Sequence, residues 1–162
     1  MLSLVPSLVV LGLVAFAALH LALRRRTSDQ LRMERVSASH MLAITTAIQG
    51  GHFIEEWATG FNIRLPALFG LDPIPLSFFV AFNLAWVAVW IASVPLLRTG
   101  RRAAFFAAWF LAIAGMLNGV AHPLLAAVSG GYFPGLISSP LIGLASIFLW
   151  QRLYRASPGE GT

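Results

Sequence analysis

The sequence predicts an all-α fold: a polytopic membrane helix bundle with five transmembrane helices, the N-terminus outside and the C-terminus cytoplasmic. Three observations predict it. The 162 residues are 58% hydrophobic and only 10% charged, with a mean hydropathy of +0.80, which is more apolar surface than one water-soluble core of this size can hide. The apolar residues gather into five runs, each near the roughly 20 residues a helix needs to cross the hydrocarbon core. The basic residues, all arginine, fall in short clusters between alternate runs. They act as topology signals rather than as a nucleic-acid surface, despite the net charge of +5.

The first run, Leu2 to Leu23, has no basic residue before it and is followed at once by Arg24, Arg25 and Arg26, so it reads as a retained anchor rather than a cleaved signal. The second spans Val36 to Trp57, the third Leu76 to Leu97 and the fourth Ala103 to Val128. The fifth is weaker. Its apolar part, Leu136 to Trp150, is short and contains Pro140, so it crosses only if Phe133 and Pro134 are counted in, with a re-entrant segment as the alternative. Arg24, Arg25, Arg26, Arg32 and Arg35 separate the first two runs, Arg98, Arg101 and Arg102 the next inner pair, and Arg152 and Arg155 follow the last. The positive-inside rule puts all three regions in the cytoplasm and leaves only Arg64 in an outer loop. The outer loops, Thr59 to Pro75 and Ser129 to Gly135, are rich in Gly and Pro and read as turns or caps. Residues 1–155 form a single transmembrane domain and 156–162 a flexible tail. With no cysteine there is no disulfide, thiolate metal site or cysteine nucleophile.

Ionisable side chains interrupt the second run. Thr45, Gln49, His52, Glu56 and Thr59 follow one another by four, three, four and three, one stripe of a helix. Glu55 lies about 60° to one side of His52 and Glu56 about 40° to the other, so the imidazole is flanked by two carboxylates. Insertion of such groups costs roughly 2.5–3.5 kcal/mol each, which makes the cluster a candidate site in the outer leaflet half. The fourth run carries Asn118 and His122 on one helix face at similar depth. Gly115 and Gly119 beside them would let the second and fourth helices approach. Asn83 reaches the same level from the third run, with Trp86 and Trp90 beyond it as a wall for an apolar ligand. Asn118, Gln49 and Asn83 are supporting amides in this reading. His20 and His40 lie at the inner ends and take no role. The bland alternatives are a structural network of buried hydrogen bonds for the cluster and a snorkelling acid for Glu56.

The run His52-Phe53-Ile54-Glu55-Glu56, the later His122 and the run Tyr132-Phe133-Pro134-Gly135 resemble the HXXEE family of small bacterial integral membrane proteins, with its HXXEE motif, further histidine and YXPG motif. The resemblance covers about His40 to Trp150. It marks His52, Glu55, Glu56, His122, Tyr132, Pro134 and Gly135 as residues that matter, implies a multi-pass protein of the bacterial inner (cytoplasmic) membrane, and leaves the chemistry open. From the residues themselves, Tyr132 reads as an amphipathic ring on a tight outer turn that folds over the cluster and can donate a proton, or else as a member of the interfacial aromatic belt.

Two chemistries fit this set. His52, Glu56 and His122 offer mixed nitrogen and oxygen ligands for zinc or iron, with Glu55 as general acid or base. Without a metal, the same groups could perform acid and base catalysis. The spacing matches neither H-E-x-x-H nor H-x-x-E-H zinc motifs, no activated serine elbow is present, and no phosphate loop appears. The expectation is a membrane-embedded enzyme acting on a lipophilic small molecule, with Glu55, Glu56, His52, His122 and Tyr132 catalytic and the lipid bilayer as its surroundings. A proton-coupled transporter or channel subunit, or a structural accessory protein, is the alternative.

Overall fold

The computed structural model of the chain describes residues 5–159, which form six α-helices and no named strand. The start of the first apolar run, at Leu2, lies outside the described residues. Helix α1 covers Val5–Arg24, α2 Arg32–Ala58, α3 Phe61–Ala67, α4 Leu76–Arg98, α5 Arg102–Ser129 and α6 Ser139–Ala156, and a 3-10 turn, Asp29–Leu31, leads into α2.

Three of the helices, α1 from Ser7, α4 and α5, are long and apolar enough to cross a membrane. The sequence had suggested five. Helices α2 and α6 are also long, at 27 and 18 residues, but each spends apolarity on other duties. Helix α2 starts at Arg32 rather than Val36 and carries Glu34, Arg35 and the polar stripe, while α6 ends in Arg152 and Arg155. Both pack on neighbours, α2 chiefly on α6 and α4, and α6 on α5. Pro140 does not break α6, because it falls in the first turn, where its missing N–H has no helical acceptor to lose.

Helix α5 is the central element, packed by α6, α1 and α4. Its small residues Ala104, Ala107, Ala108 and Ala112 are buried together with Trp109 and Leu111. Helices α5 and α6 cross with their backbones in close approach. A Cβ at Gly119 would stand 2.8 Å from the Gly143 Cα, and one at Gly115 would meet the Ser146 hydroxyl at 2.0 Å. The glycines therefore serve α6, which corrects the expectation that they bring together the second and fourth apolar runs, now α2 and α5. Those two helices meet only over a short stretch. Trp86 stacks on Phe110 at 4.1 Å, and Trp90 donates its indole N–H to the Ala107 carbonyl at 3.0 Å, tying α4 to α5. On the outside, Leu13, Phe16, Leu19 and Leu23 of α1 and Leu84, Val89 and Ile91 of α4 stand exposed, an apolar girdle of the kind lipid covers.

The arginine clusters converge on one end of the bundle. Buried Arg35 donates to the carbonyl of Arg98 at 3.1 Å and to Thr27 Oγ1 at 3.2 Å, and it also bonds the Ser28 carbonyl. Arg98 Nε reaches Ser39 Oγ at 2.9 Å. Arg25 lies over the Tyr154 ring at 3.7 Å and pairs through its backbone with Gly159, which ties down the first residues of the C-terminal tail. At the opposite end the Thr59–Pro75 loop holds a helix, α3, in place of simple turns. Gly60, at φ 79°, ends α2 in a left-handed residue and starts α3 at once. Asn62 then clasps Ile74 in both directions, Nδ2 to its carbonyl at 3.0 Å and backbone carbonyl from its N–H at 2.9 Å.

Candidate metal centre

At that opposite end the last turns of α2, the later half of α5 and the loop into α6 bring three buried groups together. His52 and Glu56 stand one turn apart on α2, and His122 faces them from α5. Glu56 Oε1 is 3.5 Å from His52 Nε2 and 3.4 Å from His122 Nε2. The imidazole rings meet edge to face, with centroids 4.8 Å apart. One ligand atom from each residue lies within 4.8 Å of the others.

The hydrogen bonds on the far sides of the rings decide what these atoms can do. His122 Nδ1 is 2.5 Å from the Pro134 carbonyl, which can only accept, so this nitrogen carries the proton. His52 Nδ1 is 2.7 Å from Ser138 Oγ. That hydroxyl spends its own proton on Glu55 Oε2 at 2.5 Å, so it accepts from His52. In the neutral form each ring, its Nδ1 proton committed outward, turns an Nε2 lone pair toward Glu56 Oε1. His52 Nε2 is buried with no hydrogen-bond partner. Separations of 3.4–3.5 Å are longer than a charge-assisted N–H···O bond of about 2.7–2.9 Å. The two edges from Glu56 are near the roughly 3.4 Å between two ligands that share a tetrahedral ion at about 2.0–2.1 Å, and the set as a whole, within 4.8 Å, would draw in to hold one. The donor set of two imidazoles and a carboxylate, each ring held by an outer hydrogen bond, fits a divalent transition metal.

Glu55 faces the other way. Its carboxylate accepts from Tyr132 Oη at 2.7 Å, Ile137 N at 3.0 Å, and Ser138 N and Oγ at 2.8 and 2.5 Å. Four donors saturate an ionised carboxylate, so Glu55 clamps the loop of residues 132–138 and touches His52 only through Ser138. The flanking of His52 by two carboxylates, expected from helical angles, is thus realised on one side directly and on the other through a hydroxyl. Burial first, and then the neighbouring Glu55, push the Tyr132 phenol above its ordinary value against an opposing hydrogen bond from Thr59. Tyr132 is therefore a protonated donor near neutral pH.

Gly135 explains the YXPG turn. At φ 85° it occupies the left-handed region, and a Cβ there would lie 2.5 Å from His122 Cε1 and 2.9 Å from His52 Cε1. Only glycine lets the backbone press between the two rings. Phe133, 1% exposed, and Phe61 of α3 pack around His122 and shut water out of this side.

The supporting amides divide. Gln49 and Asn118 line a cavity beside the trio, as does Asn83, whose Nδ2 donates back to the Phe79 carbonyl of its own helix at 2.9 Å. None of the three bonds the trio. The residue that sequence reasoning did not single out is Ser138, the link between Glu55 and His52. Its position just before α6 was readable, but its partner lies 86 residues away. Compared with family models, curated proteins and solved structures, the chain matches none of them.

Proposed function

We propose that His52, Glu56 and His122 bind a divalent metal, zinc or iron, and that the protein is a membrane-embedded enzyme acting on a lipophilic substrate. The observation that carries this reading is the convergence of three lone-pair atoms with both Nδ1 protons turned outward, an arrangement that is costly in a buried site without a shared cation. A metal held there supplies a Lewis acid and an acidified water. The chain's own residues do the rest. The Pro134 carbonyl and Ser138 hold the rings in one tautomer, the Glu55 carboxylate keeps Ser138 oriented, and Phe61 and Phe133 exclude water. Tyr132 stands ready as a proton donor at the loop. In this reading α2 and α6 span the bilayer with α1, α4 and α5, the N-terminus lies outside, and the bilayer is a bacterial cytoplasmic membrane, in keeping with the HXXEE resemblance.

Elemental analysis of detergent-purified protein tests it. About one equivalent of zinc or iron, lost in His52→Ala, Glu56→Gln and His122→Ala, supports the reading, and a metal-free yet active wild type removes it.

One observation favours a second reading, a proton-coupled transporter. The buried polar line on α2 continues below the trio through Gln49, Thr46, Thr45 and Ser39 to Arg35, and the Thr46 hydroxyl has no partner. His40, at the inner end of α2, is exposed and takes no part. Proton flux into protein-loaded vesicles, abolished by Glu56→Gln, separates this reading from the enzyme.

A further inference from the structure

A cavity of about 320 Å³ opens beside the trio, walled by α1, α4 and α5 beneath α3. Its surface is mainly apolar, with Phe61, Phe79, Phe82, Trp86 and Phe110 among the residues around it. This is the low end of the roughly 300–1,000 Å³ of small-ligand pockets, a size for one short chain or a small ring system.

The polar groups on its wall say what the occupant carries. They are Gln49, Asn83 and Asn118, with Glu56 and His122 from the trio and Ser7 on α1, and no arginine faces the space. Gln49 is only 7% exposed, and among the described residues neither its amide nor that of Asn118 makes a side-chain hydrogen bond. Both amides face the cavity, Gln49 from a buried position and Asn118 from a half-buried one, and each offers a donor and an acceptor to an occupant. No arginine on the wall offers an anionic head a counter-charge and the Glu56 carboxylate faces it, so the ion proposed at the trio, shared with Glu56, is the one group there that would favour an anion. A hydroxyl or carbonyl would satisfy the amides.

The route in is lateral. Helix α1 packs on α5 but makes no comparable contact with α4, although both line the cavity. Leu8 of α1 and Phe78 of α4 belong both to the cavity wall and to the exposed apolar surface, so the gap opens toward lipid.

We infer that the cavity binds a neutral lipophile with one hydroxyl or carbonyl group, which passes between α1 and α4 and sets its head against Gln49 and Asn118 beside His122 and Glu56. This names the substrate class for the proposed enzyme, and rests on that reading for the chemistry that follows binding. The test is quenching of Trp86 and Trp90 fluorescence by 10-bromodecan-1-ol and by 10-bromodecanoate at pH 8. The protein is held in phosphatidylcholine nanodiscs, and each probe is corrected for partition into empty discs. Saturable quenching by the alcohol is expected at a concentration about tenfold lower than by the acid, the scale of one or two hydrogen bonds. Gln49→Leu with Asn118→Leu should erase the preference, and Ala114→Phe, which fills the cavity, should erase saturation. Metal content of the same samples reports that each variant is folded at the trio. Equal affinity for the two probes, or a preference untouched by the amide replacements, overturns the inference even if the metal is present. Selective binding by a protein that holds no metal keeps the inference about the cavity and removes the metal reading.

Discussion

Replacing Gly135 with alanine tests the geometry of the centre at its narrowest point. The backbone there is left-handed, at φ 85°, and costs an alanine about 1–2 kcal/mol. The added methyl carbon would also stand 2.5 and 2.6 Å from Cε1 and Nδ1 of His122 and 2.9 Å from Cε1 of His52. These are imidazole ring atoms with packed neighbours, so the contact is relieved only by moving a ring or the turn, at about 1–3 kcal/mol for such overpacking. Together the terms come to about 2–5 kcal/mol. Whichever part gives way, the His122 bond to the Pro134 carbonyl lengthens and the ring loses its orientation, and loss of such an outer partner lowers metal affinity about 10–100-fold. Competition with a chromogenic chelator measures the affinity, and thermal unfolding in detergent measures the stability. A Gly135→Ala protein with wild-type affinity and melting temperature would show that the turn does not seat the two rings, and the argument from their outward Nδ1 protons would fail with it.

Ser138→Ala removes the acceptor of His52 Nδ1 and should weaken metal binding about 10–100-fold, with Ser138→Thr restoring it; an unaffected alanine variant refutes the link from Glu55 through Ser138. Glu55→Gln should lower stability by more than one ordinary hydrogen bond, about 1.5–3 kcal/mol for a charged acceptor, while retaining the metal ligands, as read by unfolding and metal content side by side. Metal affinity should fall on acidification, because protons compete for the two Nε2 lone pairs; affinity indifferent to pH would mean that the histidines are not ligands. Reporter fusions at the two termini should report opposite sides of the membrane, and agreement between them would make α6 re-entrant.

What the sequence displayed about the centre was its local part. His52 and Glu56 share a face because they are four apart, and the depth of His122 followed from counting along an apolar run. The partners of the outer ring nitrogens were hidden, since Pro134 and Ser138 belong to a turn whose docking depends on long-range packing. Glu55 shows the same limit: helical angles place its Cβ beside His52, yet four donors from the loop pull its carboxylate away. In the fold, hydropathy marked the three lipid-grade helices plainly. It also marked α2 and α6, which keep Ile44, Ile54, Leu141, Leu144 and Phe148 exposed but whose mean hydropathy is lowered by the polar stripe of α2 and by arginine at their ends. Helix α3 escaped notice because Gly60, Pro66 and Gly70 punctuate the loop, while its stabilising contacts, Asn62 with Ile74 and Phe61 with His122, join residues whose meeting only the folded chain reveals.

The clamp on Glu55 also orders events in time. Residues 52–56 leave the ribosome long before residues 132–138, which must dock before either imidazole acquires its outer hydrogen bond. Until the α5–α6 hairpin arrives, α2 carries a histidine and two acids with no partners, a poor candidate for release into lipid on its own. The hairpin, sealed by the Gly119–Gly143 contact, can form as one unit. Biogenesis would then finish at the metal site: α2 waits at the insertion machinery, the hairpin captures it, and the loop closes last, so that a chain truncated before residue 139 would be a substrate for quality control and not a smaller version of the protein.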